Sequence, residues 1–162
     1  MKNISWKKGF FKCAFSIFSD NEKVGELKPS RFTLSATGKI DQERYKFRVR
    51  EGMTNRVEII DLDTREQVGK IRFGHWLPKA TIEFKGETYR WKFSNLWETR
   101  WKITDTQQNT VNYKGWSCAG SINSAAPANL LTLTGLFISN YYWQMAAIYV
   151  AIFIPGLTMF WV

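Results

Sequence analysis

From residue 31 to 113 the apolar positions recur at every second residue, the period of a strand with one buried face. Arg31 to Thr37 alternates Phe32, Leu34 and Ala36 with polar neighbours, and Gly38-Lys39 offers a turn. In Gln42 to Arg50 the pattern is cleaner: Tyr45, Phe47 and Val49 face one way, Arg44, Lys46, Arg48 and Arg50 the other, and Glu51-Gly52 ends the run. Val57 to Leu62 and Val68 to Phe73 flank a polar turn at Asp63 to Gln67. Thr81 to Lys85 and Thr88 to Phe93 are joined by Gly86-Glu87, and Trp97, Thr99, Trp101 and Ile103 then share a face. With the N-terminal stretch around Phe11, Cys13, Phe15 and Ile17, this predicts about eight to ten strands at hairpin spacing. A weak echo links Ile60 to Val68 with Ile103 to Val111, each placing Asp-Thr before a polar turn. Nothing alternates strand with helix, which excludes a parallel α/β sheet.

After Lys114 the character changes. Small residues over 115–129 read as a linker, and Leu130 to Ile154 then runs without a charge to Pro155-Gly156. As a helix that run is about 37 Å long. The chain thus divides as one domain: strands over 1–114, linker 115–129, helix 130–154 and tail 155–162. Two readings of the helix compete. As a membrane span it clears the length that a bilayer needs, and the basic flank on its N-terminal side would leave a tail-anchored protein with a cytoplasmic β domain. As a core helix it is apolar all round because protein surrounds it. The strands favour the second reading, since a barrel of more than about eight strands leaves room inside and a helix about 10 Å across fits it. Thr132, Thr134, Ser139, Asn140 and Gln144 point the same way, because polar side chains are costly against lipid. The expected fold is all-β with one helix, an antiparallel β-barrel wrapped around a hydrophobic C-terminal helix. A lipocalin-like barrel for a small molecule is a third possibility, and it requires an open apolar cavity.

Such an architecture resembles the tubby C-terminal-like superfamily, which takes in tubby proteins, phospholipid scramblases and LURP-one-related proteins. The likeness is carried by the paired strands and polar turn from Ile59 to Ile71 and by the terminal run Leu130 to Ile154 ending in Pro155-Gly156. It implies a non-enzymatic role. In the tubby branch it also implies phosphoinositide head-group binding through Lys and Arg on the barrel exterior, but no residue here matches that site position by position.

Charge sharpens the picture. The 162 residues hold 23 Lys and Arg against 14 Asp and Glu, a net charge of +9, and every one of them lies at or before Lys114. Such a surface attracts polyanions. The ladder Arg44, Lys46, Arg48 and Arg50 sets cations at intervals of about 6.6 Å on one strand face. Acids on neighbouring strands, such as Glu58 or Glu98, or a bound anion must lie nearby. The ligand class put forward for these four residues is the head group of an anionic phospholipid. Nucleic acid fits poorly, because Tyr45 and Phe47 face away from the cations and offer no stacking platform beside them.

The remaining composition mostly excludes. A single histidine, His75, and two cysteines, Cys13 and Cys118, rule out multi-His and Cys-rich metal centres. Both cysteines read as reduced, small buried hydrophobes. Lys12 breaks the N-terminal apolar run below signal-peptide length, so the charged part is expected in the cytoplasm, peripheral to or anchored in a membrane. Gly115 to Gly120 falls short of a nucleophile elbow because Ala119 stands at its last position. No catalytic residue, metal or cofactor is expected, and the sequence reads as a non-enzymatic binding or membrane-associated module.

Overall fold

The computed structural model describes residues 2–9, 13–50, 53–74, 77–116, 118–125 and 129–158. The expectations placed on Phe11, Glu51-Gly52, His75 and Ser117 lie outside these residues. Among the described residues there are twelve strands: β1 (Lys2–Lys8), β2 (Phe15–Ser19), β3 (Glu22–Pro29), β4 (Ala36–Ile40), β5 (Glu43–Arg50), β6 (Met53–Asp61), β7 (Gln67–Phe73), β8 (Lys79–Phe84), β9 (Glu87–Phe93), β10 (Arg100–Thr104), β11 (Thr110–Trp116) and β12 (Ala119–Ser124). Each pairs antiparallel with the next, and β12 pairs with β1, with Ile4 opposite Ile122, to close a barrel. One helix follows, α1 (Leu130–Thr158).

The inward positions of the strands are the even-spaced apolar ones, among them Ile17, Leu27, Phe47, Ile59, Ile71 and Ile82, and all are buried. They close on the first half of α1, where Leu133, Leu136, Phe137 and Ile138 are buried as well. Phe47 stacks on Phe137 at 4.5 Å between ring centroids, and Phe73 stacks on Tyr141. The barrel wrapped around a C-terminal helix is therefore what this chain forms. The first half of α1 occupies its interior, and a cleft of about 380 Å³ remains beside the helix.

Four expectations need correction. The strand count is twelve, above eight to ten, because β1, β3 and β12 carry little periodic signal. The segment 115–129 is not simply a linker: it holds the end of β11 and all of β12. Its glycines are there for packing. A Cβ on Gly115 would lie 2.2 Å from Cζ2 of Trp6, and one on Gly120 would lie 2.6 Å from the Trp6 Nε1, so the indole lies flat on backbone that no side chain shields. Residues 31–35 form a connection and not a strand, with Phe32 exposed; the Ser30 hydroxyl accepts from the N–H groups of Phe32 and Thr33 and replaces ladder bonds. Trp97 likewise sits in a connection and not on the face of Trp101, because the Asn95 side-chain oxygen accepts from the N–H groups of Thr99 and Arg100 and coils the chain before β10.

Two smaller differences concern the ends. The helix backbone continues through Pro155-Gly156 to Thr158, although Pro155 gives up an N–H bond to the previous turn and crowds its carbonyl. Cys13 and Cys118 are exposed instead of buried, since both lie on connections between strands.

Candidate interaction surface at one end of the barrel

Antiparallel strands joined in sequence send successive connections to alternate ends. At the near end α1 enters; at the far end it leaves. Leu130 to Tyr141 lie inside the barrel, while Trp143 and 146–152 are exposed beyond it. The polar residues of the enclosed half find partners there: Thr134 donates to the Leu130 carbonyl at 2.8 Å, and Asn140 accepts from Lys8 Nζ at 3.1 Å. At the mouth the Tyr142 hydroxyl donates to the Lys79 carbonyl at 2.6 Å, and burial pushes this phenol well above its ordinary range, so it stays a donor. Among the described residues no helix is long and apolar enough to cross a membrane. The spanning reading of 130–154 is thus replaced by a plug followed by an apolar projection.

The far end gathers the exposed large apolar side chains. Phe32 (96% exposed), Leu77, Leu96 (99%), Trp97 (79%) and Trp116 (72%) stand on or beside its connections, around the emerging Trp143, Ile148, Tyr149, Val150 and Ile152. At the near end the described residues offer only Leu62, 36% exposed. Scattered exposed apolar residues need no explanation, but a set confined to one end does.

Charge follows the same axis. The near-end connections carry Asp20, Asp41, Asp63, Glu66 and Asp105 against Arg65 and Lys85. The Asp105 carboxyl is held below its ordinary range, chiefly by the Asn109 side chain that donates to it. Toward the far end the outer face of β6 to β11 is basic. Register sets Arg56 beside Arg72, Lys79 beside Lys92 and Lys92 beside Lys102, and Arg100 beside Lys114. Among the described residues none of these cations forms an ion pair with an acid.

The four cations singled out in the sequence do lie together on the outer face of β5, but three are already matched. Arg44 pairs with Asp63, its Nε donating at 3.0 Å, and this holds the guanidinium pKa above its usual value. Arg48 and Arg50 share Glu58 at 2.6 and 3.0 Å, on the neighbouring strand β6. Lys46 remains, between Thr37 and Ile60. The acids needed near the ladder are thus supplied mainly from within. The unpaired row Lys79, Lys92 and Lys102 was missed because it runs across strands: each cation is ordinary in its own strand, and only register brings them together.

Among the described residues no group of His, Cys, Asp and Glu could hold a metal. No protein-family model, curated protein or solved structure matches this chain.

Proposed function

We propose that this protein is a non-enzymatic module that docks on an anionic membrane surface with the far end of its barrel, the exposed part of α1 entering one leaflet. The observation that carries this reading is the coincidence, toward one end, of the exposed aromatic and aliphatic side chains with the row Lys79, Lys92 and Lys102, which has no acid partner among the described residues. Trp97, Trp116 and Trp143 suit the boundary between head groups and chains, where indoles collect. From Trp143 to Ile152 the helix rises about 15 Å, the depth of one hydrocarbon leaflet. Its backbone polar groups are satisfied within the helix except the Ala151 carbonyl, which faces Pro155 where an N–H donor would be, so entering lipid leaves little unpaired along that length. Each Lys or Arg held near an anionic surface adds about 1 kcal/mol. In this reading the largely neutralised ladder Arg44, Lys46, Arg48 and Arg50 is secondary to Lys79, Lys92 and Lys102. The closed barrel around one C-terminal helix also supports kinship with the tubby-like group, which we propose on architecture alone.

Co-sedimentation with vesicles of phosphatidylethanolamine and phosphatidylglycerol tests the reading. Binding is expected to require phosphatidylglycerol, to weaken with salt, and to be lost in Lys79→Glu/Lys92→Glu/Lys102→Glu. Binding that ignores both salt and anionic lipid would overturn it.

A further inference from the structure

We propose that the cleft just inside the far end binds a zwitterion bearing a quaternary ammonium group, of the phosphocholine class. This goes beyond membrane docking and stands without it. The cleft, about 380 Å³, lies between α1, β1, β2, β10, β11 and the connection before β10. At the roughly 30 Å³ that a water molecule occupies in the liquid, it has room for about a dozen non-hydrogen atoms. Its floor is formed by the buried Trp6, Phe15, Trp101 and Leu136. Trp97, Trp116 and Trp143 form the mouth, coming from three separate elements. None of these three indoles stacks on another ring among the described residues.

Two charges line the same cleft, Lys8 and Glu98. Neither forms an ion pair among the described residues, and they are not paired with each other. Opposite charges held apart in one cleft are complementary to opposite charges held apart in one ligand. Indole faces attract cations, and a quaternary ammonium is the kind that suits them best here: it has no N–H to satisfy, its methyl groups pack on apolar walls, and Glu98 supplies the countercharge. Lys8 spends one of its three N–H donors on Asn140 Oδ1 at 3.1 Å, leaving others for a phosphate oxygen. The Ser139 hydroxyl lines the cleft on the next position of α1 and offers a further donor.

Titration calorimetry of the full chain with phosphocholine, with no membrane present, is the test. Saturable binding is expected, with tetramethylammonium competing. Trp97→Ala and Glu98→Gln, both on an exposed connection, should each weaken it about tenfold while circular dichroism and melting stay unchanged. Lys8→Met should weaken phosphocholine and spare tetramethylammonium. A second titration with monomeric dihexanoylphosphatidylcholine separates the sources: tighter binding than free phosphocholine assigns a lipid head group, equal binding assigns the free zwitterion, and both uphold the site. Absence of saturable binding by either ligand at millimolar concentration, or binding indifferent to Trp97→Ala and Glu98→Gln, overturns it. Because the docking test contains no choline lipid and this one contains no vesicle, either can fail while the other holds.

Discussion

Gly135, in the enclosed half of α1, is fixed by what lies against it. A Cβ there would meet Cζ of Tyr113 at 2.3 Å, and Tyr113 is itself pinned, its hydroxyl donating to the Leu131 carbonyl at 2.7 Å. The ring lies where the helix has no side chain. Gly135→Ala should therefore destabilise the protein by about 1–3 kcal/mol, the range for overpacking a tight core, read as a lowered urea midpoint. Combining it with Tyr113→Leu should restore part of the loss, whereas Tyr113→Phe should restore little, because it removes the hydroxyl but leaves Cζ and Cε1 in the way. Recovery by Tyr113→Phe would show that the hydroxyl alone is at fault. A glycine inside an apolar run gives no hint of this in the sequence, since its partner is distant along the chain. The two turns that echoed each other were partly legible. Asp61 Oδ1 accepts from the N–H groups of Asp63 and Thr64, and Asp105 Oδ1 accepts from those of Gln107 and Asn109. The equivalent residues are Asp61 and Asp105, so the likeness lies in the side chain that caps the turn and not in the Asp-Thr pair.

Among the elements, α1 shows most clearly how far a hydropathy pattern reaches. An uncharged run of that length announces a helix, but being buried in protein and projecting toward lipid select the same residues, so the division near Tyr142 could not be read in advance. The two halves should respond oppositely to substitution. Phe137→Ala, which removes the ring stacked on Phe47, should cost about 3–5 kcal/mol of stability. Ile148→Asp, on the exposed half, should leave the melting temperature nearly unchanged and abolish sedimentation with anionic vesicles. If Ile148→Asp unfolds the barrel as readily as Phe137→Ala, the outer half belongs to the core and the docking reading loses its anchor. Strands with alternating bulky residues, β5 to β9 above all, were legible because one face of each is buried inside the barrel. β12 was not, because Gly120 leaves room for Trp6, Ser121 and Asn123 face water and Ser124 is a small buried polar residue, and together they look like a linker in isolation.

For the molecule as a whole, the decisive property is parity. In a meander every second connection reaches the same end, so the acidic connections and the apolar ones separate only once the strands are counted correctly. Missing β1, β3 and β12 scrambles that count, which is why the sequence gives a net charge of +9 and an uncharged segment but no axis. With the count in place, both cysteines fall on far-end connections, exposed beside the surface proposed to meet lipid. They provide a native probe. On vesicles of phosphatidylethanolamine and phosphatidylglycerol, reaction of Cys13 and Cys118 with a membrane-impermeant thiol reagent should slow severalfold. In Cys13→Ser/Cys118→Ser/Asp41→Cys, the thiol at residue 41 lies in the near-end turn between β4 and β5 and should react at its free-solution rate, while the protein still co-sediments. Equal protection of both ends would point to vesicle-induced clustering of whole barrels, and protection of residue 41 alone would invert the orientation; either result contradicts docking by the far end. High salt supplies the control within the same experiment: as screening releases the cations of β8 to β10 from the anionic surface, reactivity at Cys13 and Cys118 should return to that of the protein in solution.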